Sequence, residues 1–140
     1  MTNVLPILIV GAEKEKWEGI IQTVRKFDLQ ETQCLGLHEA LRLLARQDFS
    51  VILCNDTLPD GDFQALLRES RKSTASAPVI VLSRLGDWDS YLDALDAGAF
   101  DYITYPLDTN EAERILLAAL RESFRHHHIG HATAYATAGR

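Results

Sequence analysis

Val51-Ile52-Leu53-Cys54-Asn55 is a run of four apolar residues closed by a neutral amide, and its recurrence along the chain decides the fold. Upstream, Leu5-Pro6-Ile7-Leu8-Ile9-Val10 ends on Gly11-Ala12, and downstream Pro78-Val79-Ile80-Val81-Leu82 ends on Ser83. Unbroken apolar stretches of this length, bounded by turn residues, read as strands buried on both faces. Thr32-Gln33-Cys34-Leu35 and Phe100-Asp101-Tyr102-Ile103 are less apolar and suit positions nearer a sheet edge. Between the strands, apolar residues recur three and four apart, as in Trp17, Ile20, Ile21, Val24 and Phe27, or Ile115, Leu116, Ala119, Leu120 and Phe124. That spacing predicts amphipathic helices.

Five βα units result. Strict alternation with right-handed crossovers predicts one α/β domain, a parallel sheet with helices on both faces. Boundary chemistry agrees: Asp87 is a cap for the fourth helix and Asp108 or Thr109 for the fifth. Gly98 stands where the fourth helix should stop, and Pro59-Asp60-Gly61-Asp62 is turn chemistry before the third. In such a sheet the functional crevice lies at the carboxyl ends of the strands. The endings Gly11-Ala12, Asn55, Ser83 and Tyr105 should therefore line the site, and none of them carries a charge.

The 140 residues, 46% hydrophobic and 24% charged, suit one ordinary globular domain with a core of its own. No apolar run reaches membrane-spanning length and the N-terminus lacks a signal-peptide pattern, so a cytoplasmic location with no membrane contact is expected. The formal charge of −6 comes without a basic stripe, which argues against direct nucleic-acid binding.

The order Ile7-Leu8-Ile9-Val10, then Leu58-Pro59 beyond a strand, then Pro78 to Ser83, then Ala97-Gly98-Ala99-Phe100-Asp101-Tyr102-Ile103-Thr104-Tyr105-Pro106, resembles a response-regulator receiver domain. The resemblance covers residues 4 to 124. It implies a flavodoxin-like (βα)5 three-layer sandwich with strand order 2-1-3-4-5, and a place in two-component phosphorelay signalling. With that order the first strand separates Cys34 from Cys54 by roughly 10 Å, two strand spacings, which is too far for a disulfide. Both are expected to be inert core thiols.

Receivers of this family accept a phosphoryl group on an aspartate, hold Mg2+ with that aspartate and an acidic pair, and grip the product with a hydroxyl and a lysine. Carried over residue by residue, the acidic pair falls on Gly11 and Ala12 and the acceptor on Asn55. The hydroxyl falls on Ser83 and the lysine on Tyr105. Only the hydroxyl is retained. An amide cannot attack a phosphoryl donor as a carboxylate does, and a hard dication finds no carboxylate at Gly11 or Ala12. The expectation is therefore a degenerate pseudo-receiver without catalytic residues, cofactor or resident metal, its Mg2+ binding lost, with the Tyr105 hydroxyl directed toward Asn55 or Ser83. It is not expected to be an enzyme.

Two carboxylates offer an alternative. Glu13 and Asp56 each lie one step beyond a strand-end position, so a working receiver phosphorylated on Asp56 is the runner-up. Against it, neighbouring residues of an extended segment point to opposite faces, which assigns Asp56 to a solvated loop. A pseudo-receiver binding a small molecule is the third reading, although Gly11-Ala12-Glu13-Lys14 matches no phosphate-binding glycine loop.

By the same resemblance Tyr102 is the aromatic that moves between inward and outward positions, and Tyr105-Pro106 is a candidate cis peptide. Trp88 and Tyr91 mark a partner surface, because the fourth helix, fifth strand and fifth helix form a frequent dimer or partner face in the family. The implied partners are a histidine kinase, a regulator or an output domain, or a second copy of the chain. Residues 1–124 are assigned to the receiver-like domain and 125–140 to a C-terminal tail or linker start. Four of the five histidines lie in Arg125 to His131, read as a frayed helix end and loose tail.

Overall fold

A computed structural model describes residues 5–11, 14–27, 29–70, 72, 77–83, 87–104 and 108–139, with side chains described from Gly19 in the first helix and up to Phe124 in the last. The elements are β1 (Pro6–Val10), α1 (Lys14–Lys26), β2 (Gln30–Cys34), α2 (Leu37–Arg46), β3 (Val51–Asn55), α3 (Phe63–Ser70), β4 (Val79–Ser83), α4 (Trp88–Asp96), β5 (Asp101–Thr104) and α5 (Thr109–Gly139). Between β3 and α3, Thr57–Leu58 and Gly61–Asp62 pair antiparallel in a minimal ribbon. The five main strands form one parallel sheet in the order β2-β1-β3-β4-β5. This is the flavodoxin-like arrangement that the alternation and the resemblance imply.

The sheet separates two cores, because alternate residues of a strand point to opposite faces. Leu8, Val10, Ile52, Cys54, Val79, Val81 and Tyr102 pack with Leu37 and Ala40 of α2, Leu66 and Leu67 of α3 and Ala94 of α4. Ile7, Ile9, Val51, Leu53, Ile80, Leu82 and Ile103 pack on the other side with Ile20 and Val24 of α1 and Ile115, Leu116 and Ala119 of α5. Burial of both faces is why β1, β3 and β4 carry no polar alternation. Each fully covered Ile or Leu contributes about 1.5–3 kcal/mol, so these strands hold the sheet's rigid centre. At the β2 edge, Gln30 and Gln33 face solvent.

Val10 is level with Cys34 on one side and Cys54 on the other, so β1 stands between the two thiols. Both are free and buried. Burial, aided by the nearby Glu39 and Asp60 charges, pushes the Cys34 thiol up to about 12. Burial also raises Cys54.

Helix ends follow the cap chemistry. Asp87 Oδ1 accepts from Ser90 N at 2.8 Å at the start of α4, and Asp108 Oδ1 accepts from Asn110 N at 3.0 Å at the start of α5. Gly98, at φ 105°, takes the chain out of α4 through backbone that favours glycine. One expectation needs correction. The backbone stays helical to Gly139, where the sequence reading has a loose tail after Phe124. Ala132, Ala134, Ala136 and Ala138 favour helix intrinsically and no proline interrupts them, which outweighs the missing apolar face.

Candidate functional site

The carboxyl ends of β1, β3 and β4 converge as the sequence requires. Gly11 directly follows β1, its N–H donating to Cys34 O at 2.9 Å, so it extends the β1–β2 ladder by one bond. Its φ of 152° lies in a region that side-chain-bearing residues rarely adopt. Position 11 is therefore both without a side-chain oxygen and shaped for glycine.

Asn55 closes β3 and Ser83 closes β4; they are 6% and 2% exposed. Tyr102, in the middle of β5, is buried and so occupies an inward position. Ala12, Glu13, Tyr105 and Pro106 lie outside the described residues, and with them the proposed reach of the Tyr105 hydroxyl and the candidate cis peptide.

The register between β3 and β4 pairs Asn55 with Leu82. The next step is continued by Asp56 N, which donates to Leu82 O at 2.9 Å and brings Asp56 alongside Ser83. The Ser83 hydroxyl donates to Asp56 Oδ2 at 2.7 Å. Asp56 is thus half-buried and engaged at the sheet end, which corrects its assignment to a solvated loop and the reading of this mouth as free of charge. Alternation along an extended strand sets neighbouring Asn55 and Asp56 on opposite faces. The hydroxyl shares Asp56's side of the sheet, and a one-residue offset between two parallel strands is not visible in either strand alone.

Asn55 has the opposite character. Its Oδ1 is buried and accepts no hydrogen bond. Native interiors rarely leave such an atom unpaired, because the desolvation penalty of the lone acceptor is about 1–3 kcal/mol. The described oxygen donors at this end are therefore one neutral amide, one carboxylate and one hydroxyl already directed to that carboxylate. Among the described residues no group of three His, Cys, Asp or Glu side chains could hold a metal. Among the described residues this end therefore presents one carboxylate, that of Asp56, to a hard dication such as Mg2+, which takes oxygen ligands.

The ribbon beyond Asp56 is anchored from a distance. Asp60 Oδ1 accepts from Leu37 N at 2.7 Å and Asp60 Oδ2 from His38 N at 3.0 Å, so this turn caps the start of α2. Gly36, the residue before α2, provides no side-chain cap. The two N–H donors, with the His38 ring 2.6 Å away, hold the Asp60 carboxyl down at about 2.

At the neighbouring face, Trp88 meets Tyr91 edge-on with ring centroids 5.4 Å apart, and Tyr91 meets Tyr102 in the same way at 6.1 Å. The two residues marked as a partner surface are therefore linked to the buried aromatic of β5.

A family model for the response regulator receiver domain matches residues 7–123, nearly the whole of this fold. The chain belongs to that family. It is 32% identical over 114 residues to the response regulator protein PilR of Pseudomonas aeruginosa, covering 81% of this chain and 26% of PilR. The regulatory protein AtoC of Escherichia coli is 29% identical, with 96% of this chain and 30% of AtoC covered. The chain thus spans less than a third of the length of either relative. Among solved structures, the receiver domain of the Francisella response regulator 1452 superposes with a TM-score of 0.73 at 26% identity, covering 84% of this chain and 98% of that one. Receiver domains are generally signalling modules that communicate with kinases and output domains. No helix among the described residues is long and apolar enough to cross a membrane.

Proposed function

We propose that this receiver is a degenerate member of its family, unable to accept phosphate at the end of β3 and signalling through phosphorylation-independent contact with another protein. One observation carries the reading: β3 ends in the buried amide of Asn55, while the hydroxyl retained on β4 is already engaged by Asp56. A carboxylate of the chain itself occupies the hydroxyl that an incoming phosphoryl group would need. Gly11 adds to this, since its backbone disfavours the acidic residue that Mg2+ would require. Ser83 is held at the sheet end and Tyr102 is inward, an arrangement that needs no phosphoryl group to maintain it. In this reading Mg2+ binding is lost, no reaction is catalysed, and the partner is a histidine kinase, a regulator or an output domain in the cytoplasm.

The test is incubation with acetyl phosphate and Mg2+, read by intact mass. No mass gain and no change in tryptophan fluorescence are expected. A second reading is favoured by the same 2.7 Å contact: Asp56 is a carboxylate beside the retained hydroxyl, placed to act as a displaced acceptor. An adduct that maps to Asp56 and disappears in Asp56→Asn establishes that reading instead.

A further inference from the structure

The charge of the chain is unevenly placed. Residues 87–124 carry nine of the twenty carboxylates and two of the fourteen Lys and Arg residues, so this segment has a formal charge of −7 within a chain of −6, and the remainder is +1. In the fold the segment is α4, β5 and the first half of α5. On α4, Asp89, Asp93 and Asp96 are all exposed. Beside that stripe Trp88 is 73% exposed and Leu92 50%, large apolar groups left in water.

The aromatic ladder runs inward from Trp88 through Tyr91 to Tyr102. It borders a cleft of about 260 Å³ lined by Asp87, Trp88, Tyr91, Tyr102 and Thr104. Toward α5, Asp101, Asp108, Glu111 and Arg114 line an adjoining hollow. Arg114 is ion-paired with Glu111, and Arg121 lies two turns further along α5. Among the described residues, the carboxylates around the exposed rings thus outnumber the cations.

We propose that this face binds a basic segment of another protein, setting an Arg or Lys side chain against Trp88 and Tyr91 with its charge toward Asp87. The proposal deepens the protein-contact reading above by giving the partner's chemistry. A cation over an indole or phenol ring is attracted by the ring's electron density, and the surrounding carboxylates strengthen that attraction at longer range. Aromatic residues are also what the buried centres of interfaces are built from. Asp87 is a fixed anion here, because its cap bond to Ser90 holds its carboxyl below the usual range. A second copy is the wrong occupant. A two-fold interface lays the same patch on itself, and this patch would bring carboxylates against carboxylates.

A labelled peptide of repeated Leu-Arg-Arg-Leu units, titrated with the full chain and followed by fluorescence anisotropy, tests the proposal. Trp88→Ala and Asp87→Asn are each expected to weaken binding about tenfold. Asn still caps α4, so the second variant keeps the helix intact. Glu39→Gln and Glu69→Gln, on other faces, are expected to leave binding unchanged. Equal binding by Trp88→Ala, or equal weakening by Glu39→Gln, overturns the proposal. So does a dimer in sedimentation that Trp88→Ala dissociates. Repeating the titration after acetyl phosphate and Mg2+ separates the two readings. Trp88-dependent binding that appears only once an acyl phosphate has formed overturns phosphorylation independence and leaves the surface standing. Binding that never depends on Trp88 overturns the surface alone.

Discussion

Asp60 caps a helix that begins twenty-three residues before it: its Oδ1 accepts from Leu37 N at 2.7 Å, joining the turn after β3 to the first turn of α2. A Cβ added at Gly36 would fall 2.5 Å from that same oxygen. The backbone at Gly36 is extended, so the glycine is needed for space and not for conformation. Gly36→Ala and Asp60→Ala should each lower Tm by roughly 2–4 °C, a typical loss for a helix cap. The double variant should lose little more than either single one, because both break the same contact. Thermal unfolding of the three proteins checks this.

The same carboxylate makes stability depend on pH. Its folded value of about 2 lies below the ordinary 3.8, so its contribution is complete above about pH 4 and is lost as the pH falls toward 2. Asp60→Asn should flatten that part of the Tm–pH profile and leave the profile above pH 5 parallel to wild type.

Asn55 and Ser83 should respond in opposite directions to apolar replacement. Asn55→Leu removes a buried acceptor without a partner and should stabilise the fold by about 1 kcal/mol. Ser83→Ala deletes the bond to Asp56 and should destabilise by about 1–2 kcal/mol. Urea denaturation midpoints distinguish the two.

Restoring single carboxylates should not restore a working site. Gly11→Asp forces a side chain onto φ 152° and should cost about 1–3 kcal/mol, while Asn55→Asp buries a second carboxylate one residue from Asp56. Neither variant is expected to gain mass from acetyl phosphate and Mg2+.

Both thiols should be silent in the native state. With Cys34 pushed up to about 12 and Cys54 also raised, a disulfide reagent at pH 8 should titrate neither until the chain is unfolded, when two are counted.

The sheet was legible because its central strands are covered on both sides, so that Ile7 to Val10, Val51 to Cys54 and Val79 to Leu82 had to be continuous apolar runs. The strand endings at Gly11, Asn55 and Ser83 followed from those runs. The partnership of Ser83 with Asp56 did not, since it depends on the register of β3 against β4, a property of two segments jointly. The Asp60 cap escaped for a related reason: local pattern marked Pro59-Asp60-Gly61-Asp62 as a turn, while the helix it caps begins well before it. Past Phe124 the absence of an apolar face suggested a loose tail, and alanine's backbone preference prevailed there.

Because the cations are concentrated elsewhere in the chain, the net negative charge falls on the α4–β5–α5 flank. In dilute buffer that asymmetry exerts a torque on the tumbling protein as a cationic body approaches, turning Trp88 toward it before any atoms touch. Ionic strength should therefore govern how often encounters succeed more than how long they last.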